Sequence, residues 1–446
     1  MLVSSQSEAH HHHTFKYLHT LLLLLLLLHL SPQSLAKSLQ LEILPNDPNI
    51  LQGAACLDGS PPAIYINITT SPANKNKWVL YFKGGGWCVN DTDCLSRATQ
   101  SLLGSSTNLR EKQPTFGYGG GGPLGDDPVQ NPSFAHFNRV MLWYCDGGSF
   151  SGDRSDPVPI FNHARNKTTN LYYRGRRNLV ATLRYLRHAY HLGNATDVLL
   201  SGGSAGGLAV YLHADYVRST FVPFVKFRAA PISGFFLQHN TMDDVNLFPQ
   251  RSRHVFHMMN STGGVNQNCV VAMAAAPERN VSDCFFANGS YAYTQTPMFV
   301  LNSAVDSYQM QSILAVPGDC ASMETARKSG PQFNQCSAKS LAAIGQYEID
   351  FLQDLQRTTT FRQSGNGGFI ESCMEHVAAQ GSPGTKIEQN GTSMAAALSS
   401  WWENSEIFSK SDAGRFWHLP CSIHRKNPGQ CNPSCEREKQ QQVTLV

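Results

Sequence analysis

The sequence predicts an α/β fold in which helices flank a mostly parallel central sheet. Continuous apolar runs recur along the chain, as in strands buried on both faces of a parallel sheet. Between two of these runs, Leu179, Leu183 and Leu186 repeat at helical spacing. The predicted strands are 63–66, 78–82, 140–144, 198–200, 226–230, 297–302 and 368–370, and the predicted helices are 174–190, 205–218, a segment around 341–355, and 393–402.

The composition is that of a globular chain close to neutrality. Of 446 residues, 41% are hydrophobic, which is enough for a sizeable core and excludes wholesale disorder. The formal net charge is +3, and removing residues 1–36 would leave it unchanged because Glu8 and Lys16 cancel. So small an excess favours neither a nucleic-acid partner nor a membrane surface.

The N-terminus has the pattern of a cleaved signal peptide. Residues 18–30 are almost pure leucine, a length typical of a signal-peptide core and short for a membrane span. Ser34 and Ala36 are small residues at the two positions that a signal peptidase reads. We therefore expect a leader at 1–36, then one secreted domain at 37–446 with no integral membrane span and a disulfide-rich tail. An uncleaved signal anchor is the alternative.

Cysteine and asparagine usage agree with export. The chain has twelve cysteines, and an even number in a secreted protein favours disulfides. No Cys-x-x-Cys pair or paired histidines support zinc, so no metal site is predicted. Cys88 and Cys94 could form a local pair, and the other pairings stay open. Eight Asn-x-Ser/Thr sequons predict a glycosylated surface.

The segment 199–207 predicts a nucleophilic serine. It reads as an apolar strand, a Gly-x-Ser-x-Gly turn around Ser204 and the start of a helix. Such a turn lifts a serine oxygen clear of the backbone, where a histidine can take its proton. Gly202 and Gly206 stand where side chains would clash in so tight a turn. A glycine-rich loop that binds phosphate or only packs closely is the alternative.

A triple glycine follows the predicted strand 78–82 and predicts an oxyanion hole. Glycine lets backbone N–H groups turn toward a developing negative oxygen. In α/β-hydrolases one donor comes from a loop after an early strand and another from the residue after the serine. Here these donors would be the N–H groups of Gly86 or Trp87, and of Ala205. A plain glycine turn is the alternative.

Two further segments at strand ends are predicted to form a substrate wall. The polar, glycine-rich segment 145–153 follows the strand 140–144, where open α/β sheets bind ligands. Within it we predict Asp146 and Ser149 as substrate-binding residues, together with Phe235 after the strand 226–230. Simple turn chemistry is the alternative. Residues 237–295 are predicted to form an insertion or cap over the sheet.

A serine hydrolase also needs a histidine base and a carboxylate that orients it. In the α/β-hydrolase arrangement both follow the serine in the chain, each after a strand. Asp306 directly follows the predicted strand 297–302, and His376 follows the strand 368–370. The other candidates lie in irregular or helical segments, too early in the chain or in the tail: Asp243, Asp244, Asp350, Asp354, His239, His254, His257, His418 and His424.

In five blocks the chain resembles the pectin acetylesterase family, whose animal relatives are the Notum carboxylesterases. The blocks are 82–88, 144–153, 202–207, 296–309 and 369–376, and the tail 431–435 is similar too. The chain departs from relatives at 231–233, which lack a common aspartate, and after His376, where plant members carry cysteine or glutamine. The resemblance implies an α/β-hydrolase fold, no cofactor, a triad matching Ser204, Asp306 and His376, and oxyanion donors matching Gly86, Trp87 and Ala205.

From the motifs and the resemblance we expect a secreted, monomeric serine carboxylesterase. Its expected partner is an acetylated cell-wall or extracellular polysaccharide such as pectin, from which it removes O-acetyl groups. The alternatives are a Notum-like deacylase that removes a fatty acyl group from a protein, an inactive hydrolase fold that only binds, and a serine peptidase.

Overall fold

The structure is a computed structural model, which describes residues 38–113, 122–163, 166–276, 278–321, 335–381, 383–404, 416–418 and 432–435. The predicted leader 1–36 lies outside the described residues, as do Cys421, His424 and Cys431.

One ten-stranded sheet organises the described chain, and two two-stranded hairpins, β6-β7 and β12-β13, are separate from it. Its order is β14-β11-β10-β9-β8-β3-β5-β2-β1-β4. All pairings from β14 to β5 are parallel, and β2, β1 and β4 add an antiparallel edge. The mostly parallel sheet is therefore confirmed. The strands are β1 Leu39–Ile43, β2 Ala63–Asn67, β3 Lys77–Phe82, β4 Lys112–Gln113, β5 Asn138–Leu142, β6 Val158–Asn162, β7 Lys167–Leu171, β8 Asp197–Gly203, β9 Lys226–Ile232, β10 Phe299–Ser303, β11 Gly367–Glu371, β12 Glu388–Gln389, β13 Thr392–Ser393 and β14 Phe416–His418.

Helices occupy the connections between the strands, as a parallel sheet requires. The longest, Ala338–Arg357, is the helix predicted from the stripe around 341–355, and it buries Ile344, Phe351 and Leu355. The described α-helices are α1 Pro48–Leu51, α2 Asp91–Gln100, α3 Gly175–Tyr190, α4 Ala205–Ser219, α5 Leu247–Met258, α6 Gln267–Ala274, α7 Ala287–Tyr291, α8 Ser307–Ser312, α9 Ala338–Arg357, α10 Pro383–Lys386 and α11 Met394–Glu403.

Strand β3 shows why the sheet needs cover on both faces. Leu80 and Phe82 join the larger hydrophobic core, whereas Val79 and Tyr81 join a second core on the opposite face. Successive side chains of a strand point to opposite faces, so a run without polar residues buries both. The larger core is covered by α3 and α4, and the second by α11.

The structure adds strands that the sequence pattern did not predict. We expected 63–66 as the single strand between residues 37 and 75, but β1 pairs with it in antiparallel register. Strands β6 and β7 form a separate two-stranded hairpin. Strand β5 begins and ends two residues before the predicted 140–144. The predicted insertion 237–295 contains the short helices α5, α6 and α7.

Ten of the twelve cysteines lie in described residues, and all ten form disulfides. The predicted local pair Cys88–Cys94 is among them. The pairs are Cys56–Cys145, Cys88–Cys94, Cys269–Cys284, Cys320–Cys336 and Cys373–Cys435. In the part of the chain that the structure describes, we find no helix both long and apolar enough to cross a membrane.

Candidate active site

Ser204 lies on a tight turn between the end of β8 and the start of α4. Its φ of 59° and ψ of −128° are unusual for a residue with a side chain. The turn is held because the Ser204 N–H donates to Ile232 O at 2.9 Å. A Cβ on Gly206 would lie 2.1 Å from Phe82 O, so only glycine fits there. The local sequence thus produces the tight serine turn that it predicts.

The structure brings the serine, histidine and aspartate chosen from the sequence together. Ser204 Oγ lies 2.9 Å from His376 Nε2. His376 Nδ1 lies 2.9 and 2.8 Å from the two carboxylate oxygens of Asp306. The Asp306 side chain is fully buried and that of His376 is 10% exposed. This is the geometry that a serine nucleophile, a histidine base and an orienting carboxylate require.

Asp306 is fixed by a helix as well as by the histidine. It follows β10 and caps α8, and its carboxylate accepts hydrogen bonds from the backbone N–H groups of Tyr308 and Gln309 at 3.0 and 3.2 Å. A carboxylate at a helix N-terminus satisfies amides that lack a partner in the helix. The Tyr308 ring also stacks on His376, with centroids 5.4 Å apart and planes at 29°.

The loop that carries His376 is tied to the end of β9. Val377, with φ 60°, donates its N–H to Ser233 Oγ at 2.9 Å. Ser233 directly follows β9. Its hydroxyl therefore contacts the residue next to the histidine.

Two rejected candidates form a pair of their own. His239 Nε2 lies 3.3 Å from Asp350 Oδ2, at the surface of α9. No hydroxyl of the described residues accepts from or donates to this pair. His418 Nδ1 instead lies 3.1 Å from Ile370 O.

The triple-glycine loop lies directly against the serine turn. A Cβ on Gly84 would lie 2.1 Å from Gly203 O and 2.9 Å from Ser204 Cβ. The N–H groups of Gly86, Trp87 and Ala205 donate to no protein acceptor among the described residues. Donors left without a partner beside a nucleophile are suited to hold a negative oxygen.

Neighbouring side chains hold the triple-glycine loop through hydrogen bonds. Tyr144 donates its hydroxyl to Gly86 O at 2.6 Å, and Arg97 donates to Gly85 O and packs over the Tyr144 ring. The Trp87 indole N–H donates to Ser149 Oγ at 2.8 Å. The contacts of Tyr144 and Arg97 were not predicted, because no pattern links these residues in the sequence.

The structure gives Asp146 a different place from the predicted substrate wall. Its side chain is buried and accepts from the backbone N–H groups of Gly148 and Phe150 at 3.0 and 2.9 Å. Burial raises the pKa of this carboxyl to about 6. Asp146 holds a turn, which is the alternative that the sequence left open.

Ser149 and Phe235, the other two predicted substrate-binding residues, are also buried. Residues other than these two face the site. Phe235 packs inward against Tyr211 and Phe351. Its neighbour Phe236 faces the site and lies 6.5 Å from the His376 ring.

An aromatic cluster of Trp87, Phe236, Phe248 and Tyr308 closes this side of the site. The Trp87 ring is 4.9 Å from Phe236, 5.9 Å from Phe248 and 6.3 Å from Tyr308. The sequence analysis missed this cluster, because its members come from four separate segments. Across the described ranges, no group of His, Cys, Asp and Glu is arranged to hold a metal ion.

Comparison with known proteins shows which family the chain belongs to. The family model described as Pectinacetylesterase matches residues 33–435. The chain belongs to the pectinacetylesterase family. Pectin acetylesterase 11 of Arabidopsis thaliana is 30% identical over 391 residues, which cover 86% of this chain and 90% of that protein. This family member is therefore a carboxylic ester hydrolase.

Animal Notum proteins are similar to this chain as well. The palmitoleoyl-protein carboxylesterase Notum of Mus musculus is 25% identical over 419 residues, 91% of this chain and 73% of that protein. The solved structure of the Wnt deacylase Notum from Drosophila superposes with a TM-score of 0.67 at 22% identity, covering 90% and 100% of the two chains. That likeness supports the α/β-hydrolase fold of this pectinacetylesterase family member.

Proposed function

We propose that this chain is a secreted esterase that removes O-acetyl groups from an acetylated polysaccharide, such as pectin. The observation that carries the proposal is the continuous contact from Ser204 Oγ through the His376 ring to the Asp306 carboxylate. The names of the plant relatives support the acetylated substrate.

In the first half of the reaction, Ser204 Oγ attacks the acetyl carbonyl carbon while His376 Nε2 takes the hydroxyl proton. The Asp306 carboxylate stabilises the resulting imidazolium. The carbonyl oxygen becomes negative and receives hydrogen bonds from the N–H groups of Gly86, Trp87 and Ala205. His376 then returns the proton to the sugar oxygen as the carbon–oxygen bond breaks.

In the second half, water replaces the sugar. His376 takes a proton from the water, whose oxygen attacks the acetyl carbon on Ser204. The same N–H groups hold the negative oxygen again. Acetate leaves as the proton passes from His376 to Ser204 Oγ, which restores the enzyme.

The aromatic cluster favours a short acyl group. Trp87, Phe236, Phe248 and Tyr308 contact one another beside His376, mostly edge to face. Phe236 and Phe248 are 2% and 8% exposed. Because these rings already contact one another, the methyl group of an acetyl ester fits beside them more easily than a fatty acyl chain does.

The disulfides support export of the protein. Five disulfides among the described residues fit an oxidising compartment, and residues 1–36 supply the predicted signal peptide. One chain supplies every proposed catalytic group, so no second copy is required.

Hydrolysis of 4-nitrophenyl acetate and 4-nitrophenyl octanoate by the wild type and Ser204→Ala tests the proposal. We expect acetate to be the better substrate and the variant to lose at least roughly 10⁴-fold in kcat. Preference for octanoate would support a Notum-like deacylase. Equal rates in both proteins would refute Ser204 as the nucleophile. Acetate release from acetylated pectin and xylan then identifies the polymer.

A further inference from the structure

The Ser149 hydroxyl connects the two segments that supply the proposed oxyanion donors. We propose that Ser149 is a positioning residue that sets the triple-glycine loop in register with the serine turn. The inference rests on the proposed function, because the donors of Gly86, Trp87 and Ala205 matter only if an oxyanion forms between them. Ser149 itself is fully buried.

The hydroxyl makes one hydrogen bond to each segment. It accepts from the Trp87 indole N–H at 2.8 Å, which holds the triple-glycine loop. It donates to Ala205 O at 2.7 Å, which belongs to the first residue of α4. The oxygen lone pair accepts the first bond and the hydroxyl proton makes the second, so the Ser149 hydroxyl can form both bonds at once.

The backbone of Ser149 adds a second connection to the same loop. Its N–H donates to the Tyr144 hydroxyl at 3.1 Å, and that hydroxyl donates to Gly86 O at 2.6 Å. Both proposed donor residues of the loop are therefore linked to position 149, Gly86 through Tyr144 and Trp87 directly.

The chain is forced into an uncommon conformation to make these contacts. Ser149 and Phe150 have φ of 54° and 59°, in the left-handed region that residues with side chains rarely occupy. The Asp146 carboxylate holds this turn through the N–H groups of Gly148 and Phe150. Such strain persists only where the surrounding bonds determine it, and it is common beside active sites.

Donors of an oxyanion hole act because they are already in place when the charge forms. A shift of about 1 Å in a reacting group can lower the rate roughly 100-fold. Without the Ser149 hydroxyl, the glycine loop and the start of α4 lose their shared contact. The loss should weaken transition-state binding more than substrate binding.

The test compares Ser149→Ala with Ser151→Ala. Ser151 is equally buried and its hydroxyl donates to Gly148 O at 2.6 Å, but it contacts neither Trp87 nor Ala205. With 4-nitrophenyl acetate we expect Ser149→Ala to lower kcat roughly 10- to 100-fold at a KM changed less than about twofold. Affinity for a boronic acid, which forms a tetrahedral adduct on serine, should fall by a similar factor. Ser151→Ala should stay within about twofold of wild type in both.

Trp87→Phe removes the donor of the same Trp87–Ser149 hydrogen bond. It replaces Ser149→Ala as the test variant if thermal melting shows that Ser149→Ala does not fold. It keeps an aromatic ring, smaller than the indole, and the backbone N–H, but removes the indole donor. We expect a similar loss in kcat, and a double variant only slightly worse than either single one.

Equal effects of Ser149→Ala and Ser151→Ala, a loss confined to KM, or wild-type kcat in Trp87→Phe would each overturn the inference. Failure of the proposed function is seen separately, as undiminished activity of Ser204→Ala.

Discussion

Both carboxylate oxygens of Asp306 lie within 2.9 Å of His376 Nδ1. The carboxylate also accepts from the N–H groups of Tyr308 and Gln309, so one buried side chain orients the histidine and begins α8. The histidine therefore takes its position from a rigid element as well as from its own loop.

Replacing Asp306 by asparagine should lower kcat for 4-nitrophenyl acetate roughly 10³- to 10⁴-fold. An amide cannot stabilise the imidazolium and can favour the wrong histidine tautomer. The matched control is Asp350→Asn, because Asp350 also contacts a histidine, His239, outside the proposed site. It should keep kcat within about twofold. Similar losses in both variants would show that Asp306 has no special part in the reaction.

A methyl group added at Gly84 should disable the enzyme by steric conflict. Its Cβ would lie 2.1 Å from Gly203 O, and neither backbone can move without displacing Ser204. We expect kcat to fall about 100-fold or more in Gly84→Ala. Gly193→Ala is the control, because its Cβ meets nothing within 4 Å. Kinetics and melting of both variants check the result, and wild-type kcat in Gly84→Ala would contradict the close approach.

Stability at acid pH should depend on His213. Burial, and then the nearby Arg176, lower the pKa of this histidine from 6.5 to about 3. Below pH 6.5 the histidine therefore binds a proton in the unfolded chain but not in the folded chain. The free energy of unfolding that His213 contributes above pH 6.5 is lost progressively as the pH falls toward 3. At pH 4.5 the loss amounts to about 2–3 kcal/mol.

The comparison of urea unfolding at pH 7.5 and 4.5 isolates this effect. The free energy of unfolding should fall less with pH in His213→Leu than in the wild type. Exposed His188 on α3 provides the control His188→Leu, which should follow the wild type. The raised pKa of Asp146 acts in the opposite direction in all three proteins and cancels in the comparison. An unchanged pH slope in His213→Leu would contradict the prediction.

The disulfide Cys373–Cys435 should matter for activity as well as for stability. Cys373 lies three residues before His376, and the bond closes a separation of 62 residues. Replacing both cysteines by alanine should cost about 2–5 kcal/mol of stability. It should also lower kcat roughly 10-fold, because the segment leading to the histidine loses an anchor. Removing Cys269–Cys284 should lower the melting temperature with kcat unchanged, and equal kcat in both double variants would refute the link.

Much of the fold could be predicted because its strands are buried on both faces. Val79, Leu80, Tyr81 and Phe82 leave no polar side for a helix or an exposed strand. Strands β1 and β6 were missed for the opposite reason. Leu39–Ile43 has two charged or amide side chains among five, and Val158–Asn162 contains a proline, so pairing rather than composition makes them strands.

Residues of the candidate site could be predicted where their position after a strand indicates their role. They were missed where the role depends on the direction in which the side chain points. Ser204, Asp306 and His376 each follow a strand, and their order along the chain selected them. Phe235 was predicted, but Phe236 is the ring that lies beside His376, because Ser233, with φ 45°, interrupts the alternation that continues from β9. Once alternation is lost, the sequence no longer shows which of two neighbouring rings faces the site.

The distance along the chain between the proposed nucleophile and its base has a consequence for biosynthesis. Ser204 and His376 are separated by 172 residues, and the strands β8, β9, β10 and β11 must align side by side before they meet. A nascent polypeptide still lacking β11 has the reactive alcohol but no group to deprotonate it. On the proposed mechanism, hydrolytic competence therefore arises only after the chain has been synthesised through His376 and these four strands have paired.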